Sequence, residues 1–121
     1  MVRNLLLIFV LVCTLTPAQE IDMEAVQAFE DFRWGLRAFH SGSFEDAVLS
    51  LEKSLGRKPQ DLRTRFWLGN ALYRAGFEDA ALSEWRYILE EDPGNTALAS
   101  AVEIITYRRG LGEQLEERSP L

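Results

Sequence analysis

The amino-acid sequence predicts an all-α protein, a short α-solenoid of antiparallel helix pairs with about five helices. Three observations carry that reading. First, chemically special residues recur at an offset of 34: Gly35 with Gly69, Ala47 with Ala81, Leu55 with Leu89, Pro59 with Pro93, and Gly42 with Gly76 and Gly110. The aromatic triple Phe39, Tyr73 and Tyr107 and the triple His40, Arg74 and Arg108 keep the same offset. Self-similarity at such a period is the signature of stacked supersecondary units. Second, apolar residues within each unit fall at helical spacing. Third, no segment alternates polar and apolar for long enough to make a strand. A length of 121 residues, 47% of them hydrophobic and 26% charged, with four prolines and eight glycines, fits one compact domain and excludes a collagen-like or disordered chain.

The elements follow in order. Arg3 gives the first four residues one positive charge, and Leu5 to Leu15 form an eleven-residue apolar run followed by Thr16, Pro17 and Ala18. This is the pattern of a secretory signal peptide over residues 1–18, with cleavage expected after Ala18. The run is short for a hydrocarbon core that needs about 20 apolar residues. Two other readings of the segment are a lipidated Cys13, against which Val12 stands where a small residue is wanted, and an uncleaved anchor.

Val26, Phe29, Phe32, Trp34, Leu36 and Phe39 mark the first helix, which Ser41-Gly42-Ser43 stops because glycine accepts a left-handed C-cap. A second helix runs from Phe44 to Leu55 and ends at Gly56 and Pro59. Asp61 caps a third from Leu62 to Ala75, Gly76 turns the chain, and Phe77 to Glu91 forms the fourth. Asp92-Pro93-Gly94-Asn95 leads to a fifth from Thr96 to Arg109, and residues 111–121 are expected to be a polar tail with a frayed turn around Glu113 to Glu117. The helical domain is thus expected over residues 19–110. Gly35, Gly69, Ala47 and Ala81 are small where two helices cross, because packed helix axes lie 8–10 Å apart. Trp34, Leu68, Leu51, Trp85, Leu55 and Leu89 are expected to fill the space around the crossings.

These residues resemble the tetratricopeptide repeat family. The stretch Trp67-Leu68-Gly69-Asn70-Ala71-Leu72-Tyr73 is similar to that family's first-helix signature; Gly76 falls at its turn, Ala81 at its second-helix alanine and Pro93 at its closing proline. The earlier unit matches through Trp34-Gly35, Gly42, Phe44-Glu45-Asp46-Ala47 and Pro59, and the last helix through Tyr107 and Gly110. The resemblance implies two full repeats, about residues 28–61 and 62–95, and a terminal helix over 96–109. Arg65 and Asp31 stand where the family usually has a bulky apolar residue, and Gly76-Phe77 replaces Gly42-Ser43 at the second turn.

The resemblance also implies a concave groove that accepts a peptide. On this sequence its candidate lining is Phe32, Leu36, Phe39 and His40 in the first unit and Arg63, Phe66, Asn70, Tyr73 and Arg74 in the second. Ser100, Ile104, Tyr107 and Arg108 make the third stripe. Aromatic faces offer contact area at low entropic cost, Asn70 suits a peptide backbone, and Arg63, Arg74 and Arg108 suit carboxylates. A competing reading makes Phe32, Phe66, Tyr73 and Tyr107 inter-repeat core, and makes Arg74, Arg108 and Arg109 partners of helix C-terminal dipoles. The carboxylate clamp of chaperone-binding relatives is not expected, because Leu36 stands where its first asparagine should be. The acidic pairs Glu45-Asp46 and Glu78-Asp79 suit helix N-termini.

Lys and Arg number 13 against 19 Asp and Glu, and the net charge of -6 disfavours nucleic acid as a partner. One cysteine and one histidine supply neither a disulfide nor a Cys/His zinc site. His40 beside Ser41 and Ser43 lacks the third group that would orient a base, and Gly110-Leu111-Gly112 reads as a turn, not a phosphate loop. No catalytic residue, metal or cofactor is expected. The expected function is an exported, non-catalytic scaffold, periplasmic or envelope-located in a bacterium, that binds a protein or extended peptide. Contact with membrane is expected only through the signal or a lipid on Cys13. The alternative is an N-terminal docking or oligomerisation segment of a longer envelope protein, for example one continuing into a β-propeller or enzyme domain, with homodimerisation as one outcome. A subunit of an outer-membrane assembly apparatus is compatible by analogy.

Overall fold

The computed structural model describes residues 20–118, together with Val2 and Asn4. The expected signal peptide, its cleavage site and Cys13 lie outside the described residues. Among those described, five helices and no strand appear: α1 Met23–His40, α2 Phe44–Arg57, α3 Leu62–Arg74, α4 Glu78–Glu91 and α5 Thr96–Glu117. The all-α prediction holds. No described helix is long and apolar enough to cross a membrane.

Local chemistry sets the boundaries. Asp22, Asp61 and Asn95 cap α1, α3 and α5, their side-chain oxygens accepting from the backbone N–H of Ala25 (3.1 Å), Arg63 (3.1 Å) and Leu98 (3.2 Å). Helices α2 and α4 have no side-chain cap, and their first turns carry Glu45-Asp46 and Glu78-Asp79, which complement the N-terminal dipole. The turns after α1 and α3 are Schellman motifs: Ser43 N–H donates to Ala38 C=O at 2.9 Å and Phe77 N–H to Leu72 C=O at 2.8 Å. Gly42 (φ +84°) and Gly76 (φ +93°) take the left-handed position in them. Phe77 in place of Ser43 therefore leaves the turn unchanged.

Successive helices pack antiparallel, and α1 runs parallel to α3. Gly35 meets Leu51 and Ala47 at the first crossing, and a Cβ there would lie 2.6 Å from Leu51 Cγ. Gly69 meets Trp85, where a Cβ would lie 2.7 Å from Cδ1 of the indole. Ser54, fully buried, donates to Ala28 C=O at 2.7 Å and ties α2 to α1. Phe32, Ala47, Leu51, Leu68, Ala71, Leu72, Ala81, Leu82, Trp85, Ile88 and Leu98 form one continuous core. The backbone of α5 comes close to that of α4 and to no other helix.

Three expectations need correction. Trp34 does not fill the first crossing and is 57% exposed. Its counterpart 34 residues on, Leu68, is buried because α2 covers that side of α3; among the described residues no helix lies on that side of α1. The fifth helix does not end at Arg109 but continues to Glu117 through Gly110 and Gly112. Glycine permits a left-handed stop without requiring one, and the good helix formers from Glu113 to Glu117 carry the helix on. Arg108 and Arg109 are consequently mid-helix and do not meet a C-terminal dipole.

The two positions that depart from the repeat pattern make ion pairs. Arg65 pairs with Glu84 at 2.7 Å, donates to Pro59 C=O at 3.1 Å, and lies 3.8 Å from the Tyr87 ring centre. Asp31 accepts from Arg57 at 3.2 Å.

Candidate functional site

Helices α1 and α3 approach each other, and α5 meets α3 through side chains alone, at a cleft by Phe66 and Asn70 and in the Arg108–Tyr73 hydrogen bond; their outward stripes are grouped as one face. The structure divides the candidate residues on it into two groups. Phe32 is only 5% exposed, with the Arg63 guanidinium 4.4 Å above its ring centre. Phe39 is half-buried in an aromatic cluster, its ring centre 5.7, 5.5 and 5.4 Å from those of His40, Phe44 and Trp67. Leu36 is half-buried beside them. Tyr73 packs tilted on Trp85 at 5.8 Å. These four residues belong wholly or partly to the packing between elements; the competing reading names Phe32 and Tyr73 among them, and its other two, Phe66 and Tyr107, are exposed.

The second group faces outward. Arg63 and Arg74 are exposed on α3, the latter 4.6 Å from the Phe44 ring centre. Phe66 is 38% exposed and Asn70 half-buried between them. Arg63, Phe66, Asn70 and Arg74 stand at i, i+3, i+7 and i+11, one face of the helix. Phe66 and Asn70 line a cleft of about 510 Å³ whose other walls are Trp85, Asn95, Ala97, Leu98 and Ala101. Tyr107 is 71% exposed on α5, in a stripe with Ile104, Leu111 and Leu115.

Arg108 closes the far end of this face. It donates to Tyr73 Oη at 3.0 Å and to Glu78 Oε1 at 2.6 Å, and the Tyr73 hydrogen bond, then the charge of Glu78, raise its pKa above the ordinary arginine value. Arg109, bound to Asp79, is raised likewise by that hydrogen bond and charge. A group raised in the folded state contributes its stabilisation below its unfolded pKa, so both arginines remain charged at working pH. Sequence reasoning missed these partners because Glu78 and Asp79 were assigned only to the N-terminal dipole of α4. The offset of 30 from Arg108 and Arg109 spans one helix and turn and is invisible to local spacing.

Two buried side-chain nitrogens among the described residues lack an acceptor, Nε of Arg65 and Nε1 of Trp85. The Trp85 indole, its Nε1 included, lies against the Cβ-less surface of Gly69. Among the described residues no three His, Cys, Asp or Glu side chains gather as metal ligands. The face is an assembly of aromatic, amide and guanidinium groups, chemistry suited to holding a polypeptide. No protein-family model matches this chain, and no curated protein matches it.

Proposed function

We propose that the chain is an exported, non-catalytic interaction scaffold of tetratricopeptide type that holds a segment of a partner protein against the face made by α1, α3 and α5. The observation that carries the reading is the α3 stripe Arg63, Phe66, Asn70, Arg74: four accessible side chains able to bind a peptide, of which Phe66 and Asn70 line an apolar cleft. The 34-residue recurrence, the paired helices and the two glycine turns support the family assignment. The apolar run ahead of Ala18 supports export, into the periplasm or envelope of a bacterial cell.

The test is replacement of Asn70 and Arg74 together by alanine, followed by capture of partners from the native cell. Loss of the partners bound by the unaltered chain, with helix content unchanged, is the expected result. Retention of all of them at equal affinity overturns the reading.

The second reading, a docking or oligomerisation segment of a longer envelope protein, is favoured by one specific observation. Ile104, Tyr107, Leu111 and Leu115 form an exposed apolar stripe along the outer side of α5. Sedimentation equilibrium separates the two readings: a monomer favours the groove scaffold, and a dimer dissociated by Leu111→Glu favours the second.

A further inference from the structure

The two units differ in chemistry on the side of α1 that no described helix covers. Trp34, Arg37 and Ala38 on α1 stand 34 residues before Leu68, Ala71 and Leu72 on α3. Those three are 3%, 0% and 8% exposed, because α2 packs on that side of α3. A helix laid over α1 in the same way would bury the Arg37 guanidinium where Ala71 has only a methyl group, and burial of a charge without a partner is strongly unfavourable. This side of α1 is therefore not built to take a further repeat; its polar groups suit the outer face of an end unit. Solvation alone does not call for an indole there, yet Trp34 is 57% exposed among them.

A cavity of about 330 Å³ opens here between α1 and the start of α2. That volume lies at the lower end of the range for small-ligand sites, about 300–1,000 Å³. Trp34 and Ala38 form its apolar wall, and Arg37, Ser43, Asp46 and Ser50 bring polar groups to it. The Arg37 guanidinium lies 4.7 Å from the Trp34 ring centre, a stacking that steadies the planar group while its N–H edge stays able to donate. Among the described residues neither Arg37 nor Asp46 has an opposite charge at ion-pair distance, and the Ser43 hydroxyl makes no cap bond to α2.

The lining selects the ligand. One cation and one anion face the same cavity, so a ligand of net charge gains at one and loses at the other. A neutral group satisfies both when it offers an acceptor to Arg37, which only donates, and a donor to the ionised Asp46, which only accepts. A secondary amide carries that pair. The serine hydroxyls, donors and acceptors at once, match the hydroxyls of a polyol, and the indole and the Ala38 methyl match the C–H face of a sugar ring.

We infer that the Trp34 cavity binds an N-acetylated sugar unit. The acetamido C=O accepts from Arg37 and its N–H donates to Asp46, ring hydroxyls bond Ser43 and Ser50, and the C–H face packs on Trp34 and Ala38. The cavity shares no lining residue with the α3–α5 cleft, so this inference goes beyond the scaffold reading and stands apart from it.

The probe is N,N′,N″-triacetylchitotriose, titrated into the isotope-labelled protein and followed through backbone amide and indole N–H shifts. Shifts concentrated at Trp34, Ala38, Ser43 and Asp46 are expected, with affinity reduced about tenfold or more by Trp34→Ala and by Asp46→Ala. Both side chains are exposed, so Tm is expected to stay unchanged in either variant. Should Trp34→Ala fail to fold, Arg37→Ala, also at an exposed position, tests the same point by weakening the probe to a similar degree. Maltotriose, which has the hydroxyls without the acetamido group, is expected to bind more weakly, and equal binding overturns the amide argument. Shifts from triglycine with none from the chitotriose overturn the inference in favour of a zwitterionic ligand. No shift at about 10 mM chitotriose, or shifts only outside α1 and α2, overturns it outright and leaves the scaffold reading, tested at Asn70 and Arg74, untouched.

Discussion

Alanine at Gly69 and alanine at Gly110 are chemically the same substitution inside a helix, and the structure predicts opposite signs. In an unobstructed helix the change reduces the backbone entropy lost on folding and stabilises by up to about 1 kcal/mol. At Gly110 nothing lies within 4 Å of the new Cβ, and φ is not positive, so that gain stands alone. At Gly69 the Cβ would sit 2.7 Å from Cδ1 and 2.9 Å from Cε2 of Trp85, well inside van der Waals contact. The indole is a rigid ring buried in the core cluster, so relieving the clash means shifting the ring or moving α4. Overpacking of this kind costs about 1–3 kcal/mol. Set against the helix gain, Gly69→Ala is expected to lose about 1 kcal/mol net, and the two variants to differ by about 2 kcal/mol. Urea denaturation monitored by circular dichroism at 222 nm measures both. Gly69→Ala as stable as Gly110→Ala would refute the close crossing of α3 and α4 on which the repeat geometry depends.

Three further perturbations test other parts of the account. Ser54→Ala removes the buried bond to Ala28 C=O and is expected to cost about 1 kcal/mol in the same urea assay, with no change if the hydroxyl is not a tie between α1 and α2. Arg65→Ala leaves Glu84 partly buried without its partner and is expected to cost about 2 kcal/mol, part of which Glu84→Gln recovers in a double-mutant cycle; strict additivity would contradict the pair. Arg108→Ala with Arg109→Ala releases α5 from Glu78 and Asp79, so amide exchange should accelerate along α5 and remain unchanged in α1 and α2. Exchange that rises uniformly would mean that α5 is not held separately.

The helices were legible because each is bounded by chemistry that acts over a few residues. Asp22, Asp61 and Asn95 cap, Gly42 and Gly76 turn, and Pro59 and Pro93 follow helix ends. The crossing glycines were legible because period 34 repeats them. What the sequence concealed was set by neighbours far along the chain. Trp34 looks like core, and only the absence of a described helix over that side of α1 leaves it exposed. Phe32 and Phe66 look equivalent, and the difference between them lies in Arg63 and Trp67 against Ala97 and Ala101. Gly110 looks like the stop that Gly42 and Gly76 are, but no left-handed turn forms there, and α5 runs two turns further. The stripe Phe66, Asn70, Tyr73, Arg74 was readable from spacing; the cleft beside Phe66 and Asn70 needed the position of α5.

The central claim is that partners are held on the face made by α1, α3 and α5. A photoreactive phenylalanine analogue placed at Asn70, on that face, and separately at Ser83, on the exposed side of α4, tests it in the native cell. The account predicts a specific cross-linked protein from position 70 and none from position 83. Cross-linking from position 83 alone, with position 70 silent, would contradict it.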